Sequence, residues 1–163
     1  MLDQRDTQRA RSDSFYGMPI FNDKLKMKRI ANPLPPEAVH VLQPFFPGFD
    51  LTRVRVCEGI PFYVLGKPIG YADRYRIYFE RNAYRIDTIE GLALLAHEIT
   101  HCRQYRDLGT WRFRAAYGWA YCKNRLHGMS GKEAYLQIPF EIEAREIEAT
   151  VYFALKRMQE GLI

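Results

Sequence analysis

The sequence predicts an α+β domain in which a small, twisted and mostly antiparallel sheet packs against several helices. Two observations lead to this prediction. Short runs rich in β-branched and aromatic residues, separated by glycine and proline, lie between residues 53 and 79. From residue 87 onward, capping residues and glycine stops divide the chain into segments of helical length instead. With 163 residues in all, we expect a single domain with a substantial core.

The first 33 residues differ from the rest because they are polar and basic. We therefore expect residues 1–33 to form a flexible arm and residues 34–163 to form the folded domain. A proline-rich stretch ends the arm, and Pro36 suits the first position of a short helix over Glu37–Phe45. The basic residues of the arm are Arg5, Arg9, Arg11, Lys24, Lys26, Lys28 and Arg29.

Three runs predict the strands of the sheet: Arg53–Val56, Phe62–Leu65 and Tyr75–Phe79. The first alternates between charged and apolar residues, which is typical of a strand with one buried face. Glycine and proline punctuate the connections between the runs and indicate turns. We therefore expect antiparallel pairing between neighbouring strands.

The first long helix should begin at the capping box Asp87–Glu90, in which the Asp87 side chain accepts a hydrogen bond from a free backbone amide. It should continue to about Asp107, because Gly109 follows as a stop. Thr110 is expected to cap a second helix, Trp111–Leu126.

Two further helices complete the predicted domain. Ser130–Glu133 is a second capping box and opens a short helix. Pro139 suits the first position of a long last helix, which should reach about Glu160 before Gly161 ends it.

Composition and charge exclude several classes of protein. The chain is 47% hydrophobic and 26% charged, as globular proteins are, and it has no apolar run long enough to span a membrane. No apolar run follows the N-terminus as a secretory signal would require, so we expect a cytoplasmic protein, with signal-less export as the alternative. Three cysteines without a C-x-x-C pair argue against a disulfide framework. The net charge of +5 permits nucleic-acid contact, but no nucleic-acid-binding module accompanies it, so we expect no such partner.

The strongest functional signal is His97-Glu98-Ile99-Thr100-His101. On a helix with about 3.6 residues per turn, His97 and His101 lie one above the other, so that both imidazoles can bind one metal ion. Glu98 projects to the side of this pair and can act as a general base without binding the ion. The preceding apolar residues 92–96 place the motif on a buried helix, where histidines need partners.

A catalytic zinc ion usually has three protein ligands, so a third residue is needed. Gln104 and Asp107 follow His101, and no histidine stands at the metzincin spacing. Cys102 lies about 100° around the helix from His101 and is expected to be a small buried residue. The last helix offers glutamates, of which Glu141 and Glu148 share a face with Arg145, whereas Glu143 and Glu146 point elsewhere.

The run Leu94–His101, followed by Gln104-Tyr105 and later by Pro139–Ala144, resembles the gluzincin-type, zincin-like metallopeptidases. It is similar in particular to the compact peptidase domain found with extracellular contractile injection systems, and the likeness covers roughly residues 34–155. The resemblance implies a compact zincin-like fold whose sheet packs on the HExxH helix and on a C-terminal helix carrying a ligand glutamate. It also implies one zinc ion per chain, bound by His97, His101 and Glu141, with Glu143 and Glu148 as fallback ligands.

The resemblance implies a zinc metalloendopeptidase, in which a metal-activated water attacks a peptide bond and Glu98 serves as the general base. Its substrate would be a peptide or protein, and association with a contractile injection or secretion apparatus is implied as well. The candidates for stabilising the transition state are Tyr117, Tyr121, Tyr135 and His127. The strand that would line the cleft and pair with an extended substrate consists of Arg76, Ile77, Tyr78 and Phe79.

Arg145 departs from the family pattern, which has an aspartate here to accept a hydrogen bond from a ligand histidine. A cation cannot accept that bond. Either another acceptor, such as Glu148 or a backbone carbonyl, replaces the aspartate, or the site is weakened. The alternative function is therefore a catalytically inactive, metal-binding interaction module with the same fold.

Overall fold

The computed structural model describes residues 31–62, 64 and 68–161. Residues 1–30 of the predicted arm, and Tyr63 and Leu65 of the predicted second strand, lie outside the described residues. The strands are β1 (Ala31–Pro33), β2 (Arg55–Glu58), β3 (Gly70–Asp73) and β4 (Arg76–Phe79). The helices are α1 (Pro36–Leu42), α2 (Ile89–Leu108), α3 (Thr110–Leu126), α4 (Gly131–Leu136) and α5 (Pro139–Gln159). The described part thus confirms the predicted α+β class.

The sheet has the strand order β1-β2-β4-β3. The β1–β2 and β3–β4 pairs are antiparallel and the β2–β4 pair is parallel, so the described sheet is mixed with mostly antiparallel pairs. Residues 31–33, which we expected to end the arm, pair with β2 instead. Strand β3 was not predicted, because glycine and aspartate at its ends are poor strand formers and only its hairpin with β4 provides partners.

Helix α2 begins one residue away from the predicted cap. The hydroxyl oxygen of Thr88 accepts a hydrogen bond from the Gly91 amide at 3.1 Å. Asp87 instead accepts two hydrogen bonds from the Arg85 guanidinium, at 2.9 and 3.0 Å. The other end agrees with the prediction, since the helix stops at Gly109 with a positive φ of 77°.

The remaining helix boundaries follow the sequence signals closely. The capping box at Ser130 is formed in both directions, and Pro139 opens α5. Thr110 is the first residue of α3 and its cap is Gly109, so the predicted threonine cap is wrong by one residue. The predicted first helix is shorter than expected, because a 3₁₀ turn over Gln43–Phe45 follows Leu42.

Helix α2 is central because it packs on both sides. Leu95, Ile99 and Cys102 on one face are fully buried in the apolar core with Ile77 and Phe79 of β4. Its opposite face packs against α5, and this interface holds the polar residues described next. Among the described residues, none of the helices combines the length and apolarity that crossing a membrane would require.

Candidate metal centre

Two helices bring three potential metal ligands together. His97 and His101 come from the middle of α2, and Glu141 comes from the first turn of α5. The two histidine Nε2 atoms are 3.3 Å apart, and the Glu141 carboxylate oxygens lie 3.4 Å from Nε2 of His97 and 3.3 Å from Nε2 of His101. Ligands about 2.0–2.1 Å from a tetrahedral zinc ion are separated by roughly 3.3–3.4 Å. The three residues are all buried, and the distances between their donor atoms match those around a tetrahedral metal ion.

Hydrogen bonds on the far side of each imidazole set the position of its proton. Nδ1 of His101 lies 2.8 Å from Oε1 of Gln104. That amide can be oriented in one way only, because its nitrogen donates to the Phe140 carbonyl at 3.0 Å and to Glu143 at 2.8 Å. Nδ1 of His101 must therefore carry the hydrogen, which leaves an electron pair on Nε2.

Glu148 has the same effect on the other ring, since its Oε2 lies 3.0 Å from Nδ1 of His97. When the rings are neutral and their single proton is on Nδ1, two Nε2 electron pairs and the Glu141 carboxylate converge on one point. Electron-pair donors at such short separations repel one another unless a cation lies between them. The chemistry of these residues thus fits a divalent metal ion.

The contact between Glu148 and His97 shows that this histidine has a hydrogen-bond acceptor although position 145 is an arginine. An aspartate was expected at position 145 as the hydrogen-bond acceptor. Glu148, about one helical turn further along α5, accepts this hydrogen bond instead. Arg145 itself donates to the carbonyl of Leu136 at the end of α4. The departure from the family pattern therefore does not deprive His97 of an acceptor.

The pKa values of the site show how strongly it attracts positive charge. Burial disfavours the charged form of His97, but hydrogen bonds with Glu141 and Glu148 outweigh it and raise its pKa to about 10. Burial likewise opposes the charge on Glu141, yet His101 and His97 hold the pKa of its carboxyl well below the ordinary value. In the absence of a cation, protons supply the charge that the cluster requires.

Glu98 is buried beside the three candidate ligands and is only 3% exposed. Its Oε2 has no hydrogen-bond partner among the described residues, and burial raises the pKa of the carboxyl. A Cβ atom on Gly70 would lie 2.4 Å from Oε1, so the absence of a side chain in β3 makes room for Glu98. A buried carboxylate oxygen without a partner among the described residues indicates a donor outside them, such as a water molecule.

Two of the four predicted transition-state stabilisers reach the site. Tyr117 donates to Oε1 of Glu141 at 2.7 Å, and Tyr135 donates to Oε2 at 2.5 Å. They therefore hold the ligand carboxylate in place. Tyr121 is partly buried on α3 and makes no hydrogen bond with the described residues. His127 is exposed at the end of α3, with its Nδ1 2.7 Å from the Lys123 carbonyl of the same helix, so nothing connects it with the site.

Residues Gln104 and Gly70 were not predicted as parts of the site. Gln104 stands three residues after His101, so it lies on the same face of α2, and this spacing is a signal that the sequence contains. Gly70 carries no such signal, because only the pairing of β3 with β4 brings it to Glu98. Glu143, a fallback ligand in the sequence analysis, binds Gln104 and Arg103 rather than approaching the histidine pair.

The prediction that a peptide pairs with the edge of the strand Arg76–Phe79 is wrong. Residues Arg76, Ile77, Tyr78 and Phe79 form β4, which pairs with β2 on one side and β3 on the other. Both edges of β4 are therefore occupied, and no peptide can add to them. In the described sheet the edge strand near the site is β3, which also packs against α2 and places Gly70 beside Glu98.

A cavity of about 370 Å³ opens beside two of the three candidate ligands. His97, Tyr135 and Glu141 line one side of it. Apolar side chains, among them Ile69, Leu94 and Leu136, line another part. The cavity is large enough to receive a side chain from a bound peptide.

Residues 69–109 match the family model described as the eCIS core domain, where eCIS denotes extracellular contractile injection systems. The match includes β3, β4 and all of α2, and therefore His97, Glu98 and His101, but it ends before α5 and Glu141. Neither the curated proteins nor the solved structures contain a significant match to the chain. This segment of the chain is thus similar to the eCIS core domain, and its helix α2 supplies two of the three residues that could hold a metal ion.

Proposed function

We propose that the chain is a zinc-dependent peptidase with His97, His101 and Glu141 as metal ligands and Glu98 as the general base. One observation carries this proposal. Three electron-pair donors converge at the spacing of a tetrahedral ion, directly beside a buried carboxylate whose Oε2 has no described partner. A structural zinc site would have four protein ligands, whereas three ligands leave a position for chemistry.

Zinc held by these residues would supply Lewis-acid chemistry and would make a water molecule more acidic. The protein side chains then have separate roles. Glu98 accepts a proton at Oε2 and passes it to the leaving amine, and burial raises its pKa in the direction that suits a group exchanging protons near neutrality. Gln104 and Glu148 orient the two imidazoles, and Tyr117 and Tyr135 orient Glu141.

We further propose that an extended peptide lies along β3 rather than β4. Strand β3 is at the edge of the described sheet and Gly70 is in contact range of Glu98, so backbone pairing there would bring a peptide bond to the site. The neighbouring cavity would receive one of its side chains.

The match to the eCIS core domain supports an association with a contractile injection apparatus. The physical form of this association is a proposal, and so is a cytoplasmic location followed by signal-less export. Co-sedimentation of the chain with assembled injection particles from the same cells would test it. A chain that stays entirely in the supernatant would contradict it.

Metal analysis tests the ligand set. Protein purified without added zinc should contain about one equivalent, and His97→Ala and Glu141→Ala should each lose it. Glu146→Gln is the matched control, because Glu146 is an exposed glutamate of the same helix and should leave the metal content unchanged. Equal metal content in all four proteins would overturn the assignment.

Cleavage of an unfolded casein-like protein tests the activity. Glu98→Gln should retain the zinc and abolish cleavage, since an amide cannot take up the proton. Cleavage by Glu98→Gln at the wild-type rate would contradict the proposed role of Glu98. Wild-type protein that contains zinc and cleaves nothing would instead support the inactive interaction module.

A further inference from the structure

Helix α3 has two faces with different roles. Phe113 and Tyr117 lie on the inner face, where Tyr117 reaches Glu141. The opposite face is exposed to solvent and apolar along its length. At about 100° per residue, its members fall within a quarter of the helix circumference. They form a stripe, here called the α3 stripe, made of Trp111, Ala115, Trp119, Cys122 and Leu126.

The degree of exposure in this stripe is high for such large apolar side chains. Trp111 is 69% exposed, Trp119 is 68% exposed and Leu126 is 82% exposed. Scattered exposed apolar residues are ordinary, but a contiguous row of them on one helix marks an interaction surface. Among the described residues, neither the candidate metal ligands nor the buried apolar core includes a member of the α3 stripe.

Charge identifies the chemistry of the partner. Residues 108–132 contain no aspartate or glutamate. Arg112 and Lys123 lie along one border of the α3 stripe and Arg125 lies along the other, all of them exposed. A narrow apolar stripe with tryptophan, bordered by cations on both sides, is typical of helices that lie in the interface of an anionic bilayer.

We propose that the α3 stripe binds the surface of an anionic lipid membrane, with α3 parallel to the surface. Trp119 and Leu126 enter the boundary between headgroups and acyl chains, and the flanking cations contact anionic headgroups. The binding is peripheral. Because the metal centre lies against the opposite face of α3, the lipid leaves it uncovered.

The chain provides its own reporter, because its only two tryptophans both belong to the α3 stripe. In the full chain carrying Trp111→Phe, all tryptophan emission comes from Trp119. Vesicles of phosphatidylcholine with about one-third phosphatidylglycerol should shift this emission to the blue, and brominated acyl chains should quench it. Pure phosphatidylcholine vesicles should have a much weaker effect, and added salt should reverse the binding.

Substitutions on the wild-type background separate the apolar and electrostatic contributions. Trp119→Ala should reduce the partition coefficient for anionic vesicles about tenfold. Arg112→Gln combined with Lys123→Gln should reduce it at least tenfold on anionic vesicles and hardly change it on neutral ones. Phe153→Ala is the matched control, since Phe153 is 59% exposed on α5 and should leave binding unchanged.

Three outcomes would overturn the proposal. The first is an unshifted Trp119 emission with anionic vesicles, which would leave the stripe to a protein partner. The second is equal binding to neutral and anionic vesicles. The third is a wild-type chain that binds no vesicles and is a dimer in light scattering, while Trp119→Ala is a monomer. This result would identify a second copy of the chain as the partner of the α3 stripe.

Discussion

The two faces of helix α2 are buried to nearly the same extent but are built differently. On one face, Leu95, Ile99 and Cys102 are fully buried in an apolar cluster with no directional contacts. On the other, His97 and His101 are nearly as buried, but each Nδ1 atom has a hydrogen-bond acceptor and each Nε2 atom lies within 3.4 Å of the Glu141 carboxylate. Apolar burial tolerates many neighbours, whereas polar burial requires a particular atom at a particular distance.

The largest expected effect belongs to the apolar face. Ile99→Ala should lower the free energy of unfolding of the metal-free protein by about 2–5 kcal/mol, because it leaves a cavity in the core. Urea denaturation measures this loss, and Ile99→Val should cost only about 0.5–1.5 kcal/mol. The folded fraction of Ile99→Ala should still bind zinc. Loss of zinc binding without loss of stability would show that the two faces are not independent.

Substitutions on the polar face of α2 should change the affinity for zinc more than the free energy of unfolding. Glu148→Ala removes the acceptor of the His97 Nδ1 hydrogen and should weaken zinc binding about 10- to 100-fold. Glu148→Gln keeps an acceptor oxygen and should weaken it less. Competition with a chromophoric chelator measures both affinities. If Glu148→Ala binds zinc as tightly as the wild type, Glu148 does not orient this ring.

The proton held by His97 predicts a pH dependence of metal binding. Its pKa is raised to about 10, so the metal-free ring is protonated at neutral pH and zinc must displace that proton. The apparent affinity should therefore rise about tenfold per pH unit between about pH 6 and pH 8. Calorimetry in buffers of different ionisation enthalpy would count the released protons, and a flat pH profile would contradict the assignment.

The same raised pKa predicts how the metal-free fold responds to pH. The stabilisation from charged His97 is complete below its ordinary pKa of 6.5 and is lost as the pH rises through about 10. Denaturation of the metal-free protein across this range should show falling stability. A stability that rises from pH 7 to pH 10 would exclude a protonated His97 in the folded state.

The smallest effect is expected at the start of α2, which supports both faces equally. Thr88→Ala removes the cap of the Gly91 amide and should cost about 1 kcal/mol of stability without changing zinc affinity. Asp87→Ala should cost less than Thr88→Ala, because the carboxylate forms an exposed ion pair with Arg85 that solvent screens. The reverse order of the two losses would restore Asp87 as the capping residue.

Most of the helical part of the fold could be predicted from the sequence. Gly109, Ser130 and Pro139 act through the backbone conformation of their immediate neighbours, so their effects are readable locally. The caps at Asp87 and Thr110 were wrong by one residue. The Asp87 carboxylate accepts hydrogen bonds from Arg85 rather than from a helix amide, and Gly109 is both the last cap of α2 and the first cap of α3. The sheet was harder to predict, since strand order depends on pairing between distant residues. This is why β4 was expected at an edge although β3 covers it.

The sequence by itself determined that His97 and His101 share a face of a buried helix with Glu98 beside them, because helical periodicity acts within a few residues. Only the tertiary structure decided that Glu141 completes the cluster, that Glu148 and Gln104 orient the imidazoles, and that Gly70 makes room for Glu98. These contacts join α2 to α5 and to β3, and their distances depend on how those elements pack. Local spacing restricts which residues can face one another, and packing brings their atoms to the distances that chemistry requires.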